Sequence, residues 1–552
     1  MKELLSTIVF VSFSIVGTAQ LKNIRPSVTG NIETTFQYLT TDSTISAVAP
    51  EQIGVLNSYS NINYALGGFK AGMRFESYLP AINGYPAFYS GTGIGYKYVE
   101  YSNDVLSVTG GNFYEQFGSG MIFRSYEARG IGLDNAMEGA RLLFTPRKGV
   151  HLKGIFGRQR YNFIDGKVNL SEGIVRGLDG DVNLNEVFDS LSNSKLKIKI
   201  GGSFVSKYQA SNNDSLVIPN NVGSYGGRID VRYDRFYINA EYVHKDNDPS
   251  QMNNYVYNSG HSALVNLGYS QKGFAVLLSG KSIDNFDFRS DRTVEGNQLF
   301  IGYTPALTKN HTYNLTTLYP YASVPLGEIA YQLDVLYKIP KKTVLGGKYG
   351  TSVNLNVATS FKPIQHSTTN FSKDRVSYEG RPFDKSDSLY HFDFNIEIKR
   401  KINKKLKLSL SYFHFKFNNK LNNVTKSADA QYYIKSDIFV LEGLYKINRK
   451  HSVRAELQGL FTKVDKQNWG TLLIEYNISP KWFFAVMDQY NFGNSVESQR
   501  IHYLLGSFGY TAGASRFMFS YGKQREGILC IGGVCRPVPA SNGLTFTFTS
   551  SF

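Results

Sequence analysis

Residues Phe392–Lys399 read Phe-Asp-Phe-Asn-Ile-Glu-Ile-Lys, and this stretch decides the fold. Apolar residues occupy every second position, and charged or amide residues lie between them. Because successive side chains of a β-strand point to opposite faces, the pattern predicts a strand with one apolar and one charged face. Residues 331–339 and 353–361 alternate in the same way. Many segments of this kind, most near the ~10 residues that a tilted membrane-spanning strand needs, predict a large β-protein.

The composition excludes several other classes. Of the 552 residues, 42% are hydrophobic, 14% aromatic and 19% charged. The aromatic content excludes intrinsic disorder, and glycine without a period of three excludes collagen. Abundant Tyr, Phe, Gly and Thr, which are poor helix formers, exclude a coiled coil. A mean hydropathy of −0.26 argues against a bundle of membrane helices.

The first residues predict export. Lys2 precedes an apolar run from Leu4 to Val16, and Gly17-Thr18-Ala19 supplies small residues before Gln20. This arrangement is typical of a secretory signal peptide, here residues 1–19. The net charge of +16 then indicates anionic outer-membrane lipid or lipopolysaccharide as a partner, and no nucleic acid.

The last residues, 544–552, favour an outer-membrane barrel over a soluble β-sandwich. Phe546, Phe548 and Phe552 share one face of this amphipathic strand, as in the C-terminal targeting signal of bacterial outer-membrane barrels. Charged residues recur on the polar face of successive strands, as a wet lumen requires, and aromatic residues crowd the strand ends. We therefore predict an all-β protein, a single antiparallel meander β-barrel of outer-membrane type with about 14–22 strands. It forms one domain over residues 20–552, with irregular insertions near 162–195 and 284–328.

Connection lengths alternate in the C-terminal half. Short turns near Asn403, Asn448, Ser479-Pro480 and Ala512-Gly513 alternate with longer connections, which lie at 362–389, 419–435, 465–468, 492–500 and 526–542. Long loops on one rim and short turns on the other are typical of outer-membrane barrels, with the chain end on the short-turn side. Several short turns are basic, such as Lys404-Lys405 and Arg449-Lys450. These are either solvated hairpin tips, the simpler interpretation, or a surface for an acidic partner.

Residues that suggest chemistry are few. The sequence has no recognisable nucleophile, zinc or phosphate-loop motif, so we predict no catalytic, metal-binding or cofactor-binding residues and no cofactor. Cys530 and Cys535 are a local pair in an exported chain, which predicts a disulfide bond in the last long loop.

Two stretches carry a family resemblance. One is Gly-Asn-Phe-Tyr-Glu-Gln-Phe-Gly-Ser-Gly at 111–120, continuing through Arg-Ser-Tyr-Glu at 124–127 to Gly-Leu-Asp-Asn at 132–135. The other is Cys-Ile-Gly-Gly-Val-Cys-Arg at 530–536 with the final strand. Together they resemble a Bacteroidota family of outer-membrane-type β-barrels, mostly of unassigned function, that includes the Plug subunit of the type IX secretion translocon.

The resemblance implies a role in protein transport, as a translocon subunit that closes or gates the periplasmic end of the type IX export pore. The implied partner is a large outer-membrane pore subunit. The resemblance supplies no catalytic residue. Charged residues near the first stretch form either a constriction or partner contact, or lumenal salt bridges in a filled barrel. These residues are Glu115, Arg124, Glu127, Arg129 and Asp134.

The sequence thus predicts a non-enzymatic protein of the cell outer membrane or of its periplasmic face. The alternative function is an outer-membrane channel or transporter, and the next is a hydrolase of outer-membrane lipid or peptide. A closed lumen in a stable complex with a larger pore would favour the translocon subunit, and ion conductance of the purified protein in planar bilayers would favour the channel. Hydrolysis that is lost on replacing one acidic residue or histidine of the rim would favour the hydrolase.

Overall fold

A computed structural model describes residues 25–552, except residue 53 and residues 212–214, 369–376, 421–432 and 532–533. The side chains of 529–531 and 534–536 also lie outside the description. The predicted signal peptide, residues 1–19, lies outside the described residues.

The described chain forms one closed antiparallel β-barrel of 24 strands. Each strand pairs with the next along the chain, and the last pairs with the first, for example through Phe546 opposite Phe36. Closure pairs every strand on both sides, so the sheet has no free edge. The predicted meander barrel is therefore confirmed, but its 24 strands exceed the predicted range of about 14–22 and are within the range known for outer-membrane barrels.

The barrel strands are numbered in chain order. The first twelve are β1 (Ser27–Thr40), β2 (Val55–Leu66), β3 (Phe69–Tyr78), β4 (Gly91–Ser102), β5 (Leu106–Phe113), β6 (Met137–Arg147), β7 (Val150–Ile164), β8 (Lys167–Asn183), β9 (Leu196–Tyr208), β10 (Asn221–Tyr233), β11 (Phe236–Lys245) and β12 (Gly260–Gln271). The others are β13 (Phe274–Asp284), β14 (Gly327–Ile339), β15 (Thr351–Ser367), β16 (Tyr378–Lys401), β17 (Leu406–Asn418), β18 (Tyr433–Lys446), β19 (His451–Phe461), β20 (Trp469–Ile478), β21 (Trp482–Tyr490), β22 (His502–Ala512), β23 (Ser515–Gln524) and β24 (Ser541–Ser551).

Shorter elements lie in the connections. Strand pairs join Gln116–Phe117 to Phe123–Arg124, Glu127–Ala128 to Leu133–Asp134, and Gly527–Ile531 to Val534–Val538. The α-helical turns are Leu184–Val187 and Asp189–Ser192, and the 3-10 turns are Ser43–Ile45, Arg129–Ile131, Asn314–Thr317 and Glu497–Gln499. No helix of the described residues is long and apolar enough to cross a membrane.

The two rims differ in the length of their connections. The short-turn rim carries Phe552 and turns such as 402–405, 447–450 and 513–514. The opposite rim, called here the long-loop rim, carries 114–136, 285–326 and 525–540. The alternation predicted for the C-terminal half therefore agrees with the strand order. The same rims extend through the N-terminal half, although 165–166 is a tight turn on the long-loop rim.

Residues 162–195 differ from the predicted irregular insertion. Strands β7 and β8 run through most of this stretch, and only the turn 184–195 is irregular. Alternation is hard to recognise in β8 because Val175, which points into the lumen, is as apolar as Leu178, which points outward and is 66% exposed. In contrast, residues 285–326, inside the second predicted insertion, form a long connection with one 3-10 turn.

In the barrel wall, polar side chains are buried and apolar side chains are exposed, which is the reverse of a soluble protein. On β19 the neighbours Glu456 and Gln458 are 3% and 2% exposed, whereas Leu457 between them is 57% exposed. Leu441, opposite Leu457 on β18, is also exposed on the outside. A polar inner face and an apolar outer face are suited to a barrel surrounded by lipid. This arrangement argues against the soluble β-sandwich.

Candidate functional site: the lumen insert

Two long connections fold inward from the long-loop rim and occupy the lumen. Residues 114–136 join β5 to β6, and residues 285–326 join β13 to β14; together they are called the lumen insert. Side chains of both segments belong to one buried apolar cluster with inward residues of the wall, including Ile155, Val175 and Val205. The insert therefore packs against the inner wall like a small core.

Glycines allow the first segment to turn sharply at its inner end. Gly118 and Gly120 have φ values of +53° and +96°, which residues with a side chain rarely adopt. They form the bend between Phe117 and Phe123, both fully buried. The carboxylate of Glu241, on β11, accepts a hydrogen bond from the Ser119 amide at 2.8 Å. The bend thus contacts a wall strand far from β5 in sequence.

Buried ion pairs connect the first segment to the wall on its other side. The guanidinium of Arg160, on β7, lies 3.0 Å from the Asp134 carboxylate and 2.7 Å from that of Glu76 on β3. Arg74, on β3, contacts the same two carboxylates at 2.7 Å each and Glu127 at 3.1 Å. These side chains are nearly or fully buried, apart from a partly exposed Glu127. Buried charges cost free energy to desolvate, so each requires the partners seen here.

The ion pairs continue toward the first strand. The Arg129 guanidinium lies 2.8 Å from Glu127 and 2.7 Å from Glu33 on β1. Burial lowers the pKa of Arg129, but hydrogen bonds and the charges of these carboxylates outweigh burial and raise it overall. Arg129 is therefore a permanent cation, and it also lies over the ring of Tyr59 on β2. Residues 127–134 are consequently attached to β1, β2, β3 and β7.

The second segment, residues 285–326, is hydrogen-bonded to the first segment and is also held next to β13 and β14, the two strands that it connects. The Arg124 amide donates to the Ile301 carbonyl at 2.8 Å, and the Tyr303 amide donates to the Gly120 carbonyl at 2.9 Å. Lys281, near the end of β13 at the long-loop rim, is fully buried and lies 2.9 Å from Glu328 on β14. Its ammonium also donates to the Pro305 carbonyl. The two segments therefore form one body.

The second segment then crosses to the opposite wall. The His311 imidazole lies 2.6 Å from the Asp393 carboxylate on β16. The Tyr313 hydroxyl donates to Glu442 on β18, and the Leu315 amide donates to Gln458 on β19. Burial, followed by the Glu442 charge, raises the pKa of Tyr313 to about 12, so its hydroxyl stays a donor. The insert thus reaches the inner wall on both sides of the lumen.

The sequence-predicted charged residues all lie in or beside the insert. Glu127, Arg129 and Asp134 belong to the ion pairs described above. Glu115 faces Lys153 at 2.8 Å and Arg141 at 3.5 Å. Arg124 lies between the rings of Tyr126 and Tyr303, at 4.3 and 4.2 Å from their centres. The structure therefore places these residues in lumenal contacts of the chain with itself.

The other predicted residues lie away from the insert. Phe546 and Phe548 point outward and pack on the aromatic rings of Phe519 and Phe517, and Phe552 pairs with Gly30 of β1. The backbone pairs Cys530 with Cys535 in the short hairpin of the last loop. Their side chains lie outside the description, and the disulfide remains a prediction.

Sequence reasoning missed the wall residues that hold the insert. Arg74, Glu76, Arg160, Lys281 and Glu328 lie at inward positions of strands, where a charge looks like ordinary lumen polarity. The signal available in the sequence was the closeness of opposite charges, since Arg74 and Glu76 are two residues apart and therefore lie on the same face of one strand. Which loop segment such a pair contacts depends on tertiary packing and has no signature in sequence spacing.

Two of the cavities in the lumen lie between the insert and the short-turn rim. A cavity of about 310 Å³ lies beneath residues 127–129 and includes Asn31, Asn61 and Asn63 in its lining. A second cavity of about 410 Å³, on the other side, includes Asp334, Asn354 and Lys309. Among the described residues, no group of three or more His, Cys, Asp or Glu side chains is placed to hold a metal ion.

The sequence matches DUF6029, a family of unknown function, over residues 1–552, and the chain belongs to that family. No curated protein matches it.

Among solved structures, the siderophore receptor PirA from Pseudomonas aeruginosa is similar at 11% identity with a TM-score of 0.40, over 96% of this chain and 81% of that one. A BenF-like porin from Pseudomonas fluorescens Pf-5 is similar at 9% identity with a TM-score of 0.33, over 82% and 98%. OccAB4 from Acinetobacter baumannii is similar at 8% identity with a TM-score of 0.33, over 97% and 100%. Similarity this low carries no information about function.

Proposed function

We propose that this protein is a channel or transporter of the outer membrane whose lumen insert moves to let a solute pass. The observation that carries the proposal is the contact of Arg160 on the wall with Asp134 on the insert, at 3.0 Å. Both partners are buried charges, and such pairs are a poor source of stability compared with apolar packing of similar volume. The insert is held by ion pairs as well as by apolar packing, and the charged partners can exchange each other for water when the insert leaves the wall.

The outer-membrane location rests on three features. They are the predicted signal peptide, the apolar exterior around Leu441 and Leu457, and the amphipathic final strand with Phe546, Phe548 and Phe552. The apolar exterior favours a barrel that spans lipid itself over one held only at the periplasmic face, and it supports the proposal that outer-membrane lipid is a direct partner.

Single-channel recording in planar bilayers tests the channel proposal. We expect the wild-type barrel to be mostly closed and Arg160→Gln to raise its open probability roughly tenfold or more, equivalent to about 1.4 kcal/mol. The matched control is Arg228→Gln, because Arg228 pairs with Asp179 and Asp181 on the wall. Equal behaviour of the two variants, or no openings in any of the three proteins, would contradict the proposal.

A second candidate is the non-enzymatic translocon subunit implied by the family resemblance, closing or gating the periplasmic end of the type IX export pore. The filled lumen favours it, since a barrel occupied by its own chain is suited to block a larger pore. Purification of the tagged protein from native outer membranes in mild detergent, followed by mass spectrometry, tests this function. A stoichiometric large pore subunit would support it, and a clean monomer would argue against a stable association.

A further inference from the structure

Three consecutive connections of the short-turn rim carry positive charge only. In 338–350, 399–407 and 446–450, every charged residue is a lysine or an arginine. These connections join β14 to β15, β16 to β17 and β18 to β19, so they are neighbours around the rim. They form a continuous surface, called here the basic crescent.

The crescent is exposed at its tips. Lys404, Lys405, Arg449 and Lys450 are all exposed, and among the described residues none of them forms an ion pair. The connection 340–350 also presents an apolar tip, where Val344 and Leu345 are 93% and 68% exposed. Unpaired cations beside an exposed apolar tip suit a macromolecular partner with acidic and apolar groups.

Positive charge without acidic residues lies on one side of the rim. On the other side, several short connections include acidic residues, namely Asp104, Glu186, Asp189 and Asp234, beside basic residues such as Lys195 and Arg235. Lipid surrounds a membrane barrel on all sides, so attraction to anionic headgroups gives no reason for a one-sided surface. A partner docked at one place on the rim does give such a reason.

We propose that the basic crescent is the docking surface for an acidic protein segment on the short-turn side of the barrel. It lies at the short-turn end of strands that the second segment of the insert contacts. Asp393, which contacts His311, is on the strand that leads to turn 402–405, and Glu442, which contacts Tyr313, is on the strand that leads to turn 447–450. The docked segment would therefore lie at the short-turn end of the part of the wall that residues 308–315 contact.

The test is a binding titration with defined probes. The full barrel, purified in an uncharged detergent, is titrated with a fluorescent peptide of glutamate and leucine residues and with a matched peptide of glutamine and leucine. The test variant combines Lys404→Gln, Lys405→Gln, Arg449→Gln and Lys450→Gln. The control variant combines Lys362→Gln, Arg381→Gln, Lys435→Gln and Lys463→Gln, four exposed cations toward the long-loop rim. Both variants change the net charge equally.

We expect the acidic peptide to bind more tightly than its neutral match, with an affinity that falls as salt screens the charges. The crescent variant should weaken binding roughly tenfold or more, equivalent to about 1.4 kcal/mol, and the control variant much less. Equal weakening by both variants would overturn the proposal, because net charge alone would then explain binding. The proposal would also fail if the barrel showed no preference for the acidic peptide but bound vesicles containing phosphatidylglycerol through the crescent, since the partner would then be lipid. Neither result depends on whether the barrel conducts ions.

Discussion

The guanidinium of Arg160, on the barrel wall, lies 3.0 Å from the carboxylate of Asp134, on the segment folded into the lumen. This contact joins the barrel wall to the segment that occupies the lumen. Arg74 approaches the same Asp134 oxygen at 2.7 Å, so one insert carboxylate serves two wall cations. Asp134 is therefore a principal point of attachment for residues 127–134.

A double-mutant cycle measures this attachment. We expect Asp134→Asn to lower the free energy of unfolding by about 3–5 kcal/mol, because two buried guanidinium groups lose a common partner. Arg160→Gln should cost a comparable amount, and the double variant should cost less than the sum of the two by about 0.5–3 kcal/mol. Urea unfolding of the reconstituted barrel provides the values. Strict additivity would show that the two side chains do not interact in the membrane.

Gly118 provides a test of the bend in the insert. A Cβ atom at this position would lie 2.8 Å from both carboxylate oxygens of Glu241, and φ is already +53°. Gly118→Ala should therefore destabilise the barrel by about 1–3 kcal/mol. Gly513→Ala is the matched control, since Gly513 has φ +59° but no atom within 4 Å of the added Cβ. A thermal midpoint lowered equally by both variants would indicate backbone strain without a steric contribution from Glu241.

The sequence predicts the wall well where the inward residues are polar. Asp393, Asn395 and Glu397 alternate with outward apolar residues on β16, so the period of two indicates both the strand and the direction of its side chains. The sequence predicts the wall poorly where the insert packs against it through apolar contacts, because inward residues such as Val175 and Val205 are then apolar too. The pattern of alternation disappears there, which explains the low strand estimate and the misassigned stretch at 162–195.

The candidate site was readable only in part. The charges of 115–134 were recognisable as a group because they are close in sequence. Their wall partners Glu76 and Arg160 come from other strands, and only the closed sheet brings them together. Residues 308–315 carry no motif at all, since their contacts with β16, β18 and β19 depend on the path of the chain across the lumen.

Leu457 tests whether the exterior faces lipid. Leu457→Arg places a cation on the outer face in the middle of β19, and we expect it to lower stability in bilayers by about 2–4 kcal/mol. Ala514→Arg, in an exposed turn of the short-turn rim, should have little effect. Urea unfolding in vesicles compares the two variants. A Leu457→Arg protein as stable as Ala514→Arg would mean that this face does not contact the hydrocarbon core.

The predicted disulfide has a direct chemical test. If Cys530 and Cys535 are joined, a thiol-alkylating reagent should add no mass to the denatured protein until a reductant is present. After reduction, both cysteines should be alkylated in the same peptide. Alkylation of the unreduced protein isolated from the outer membrane would contradict the prediction. The bond closes a short ring, so the double substitution to serine should change global stability little.

Asp42 makes the connection between β1 and β2 sensitive to acid. Its carboxylate lies 2.8 Å from the Lys523 ammonium, and hydrogen bonds from Lys523 and Thr44 lower the pKa of Asp42 from 3.8 to about 2. Because the pKa is lower in the folded state, the ionised carboxylate stabilises the barrel above pH about 4, and this contribution is lost as the pH falls toward 2. The thermal midpoint of the wild type should therefore exceed that of Asp42→Asn near neutral pH, and the gap should narrow below pH about 4. A gap between wild type and Asp42→Asn that stays constant down to pH about 2 would mean that the Asp42–Lys523 pair contributes nothing to stability.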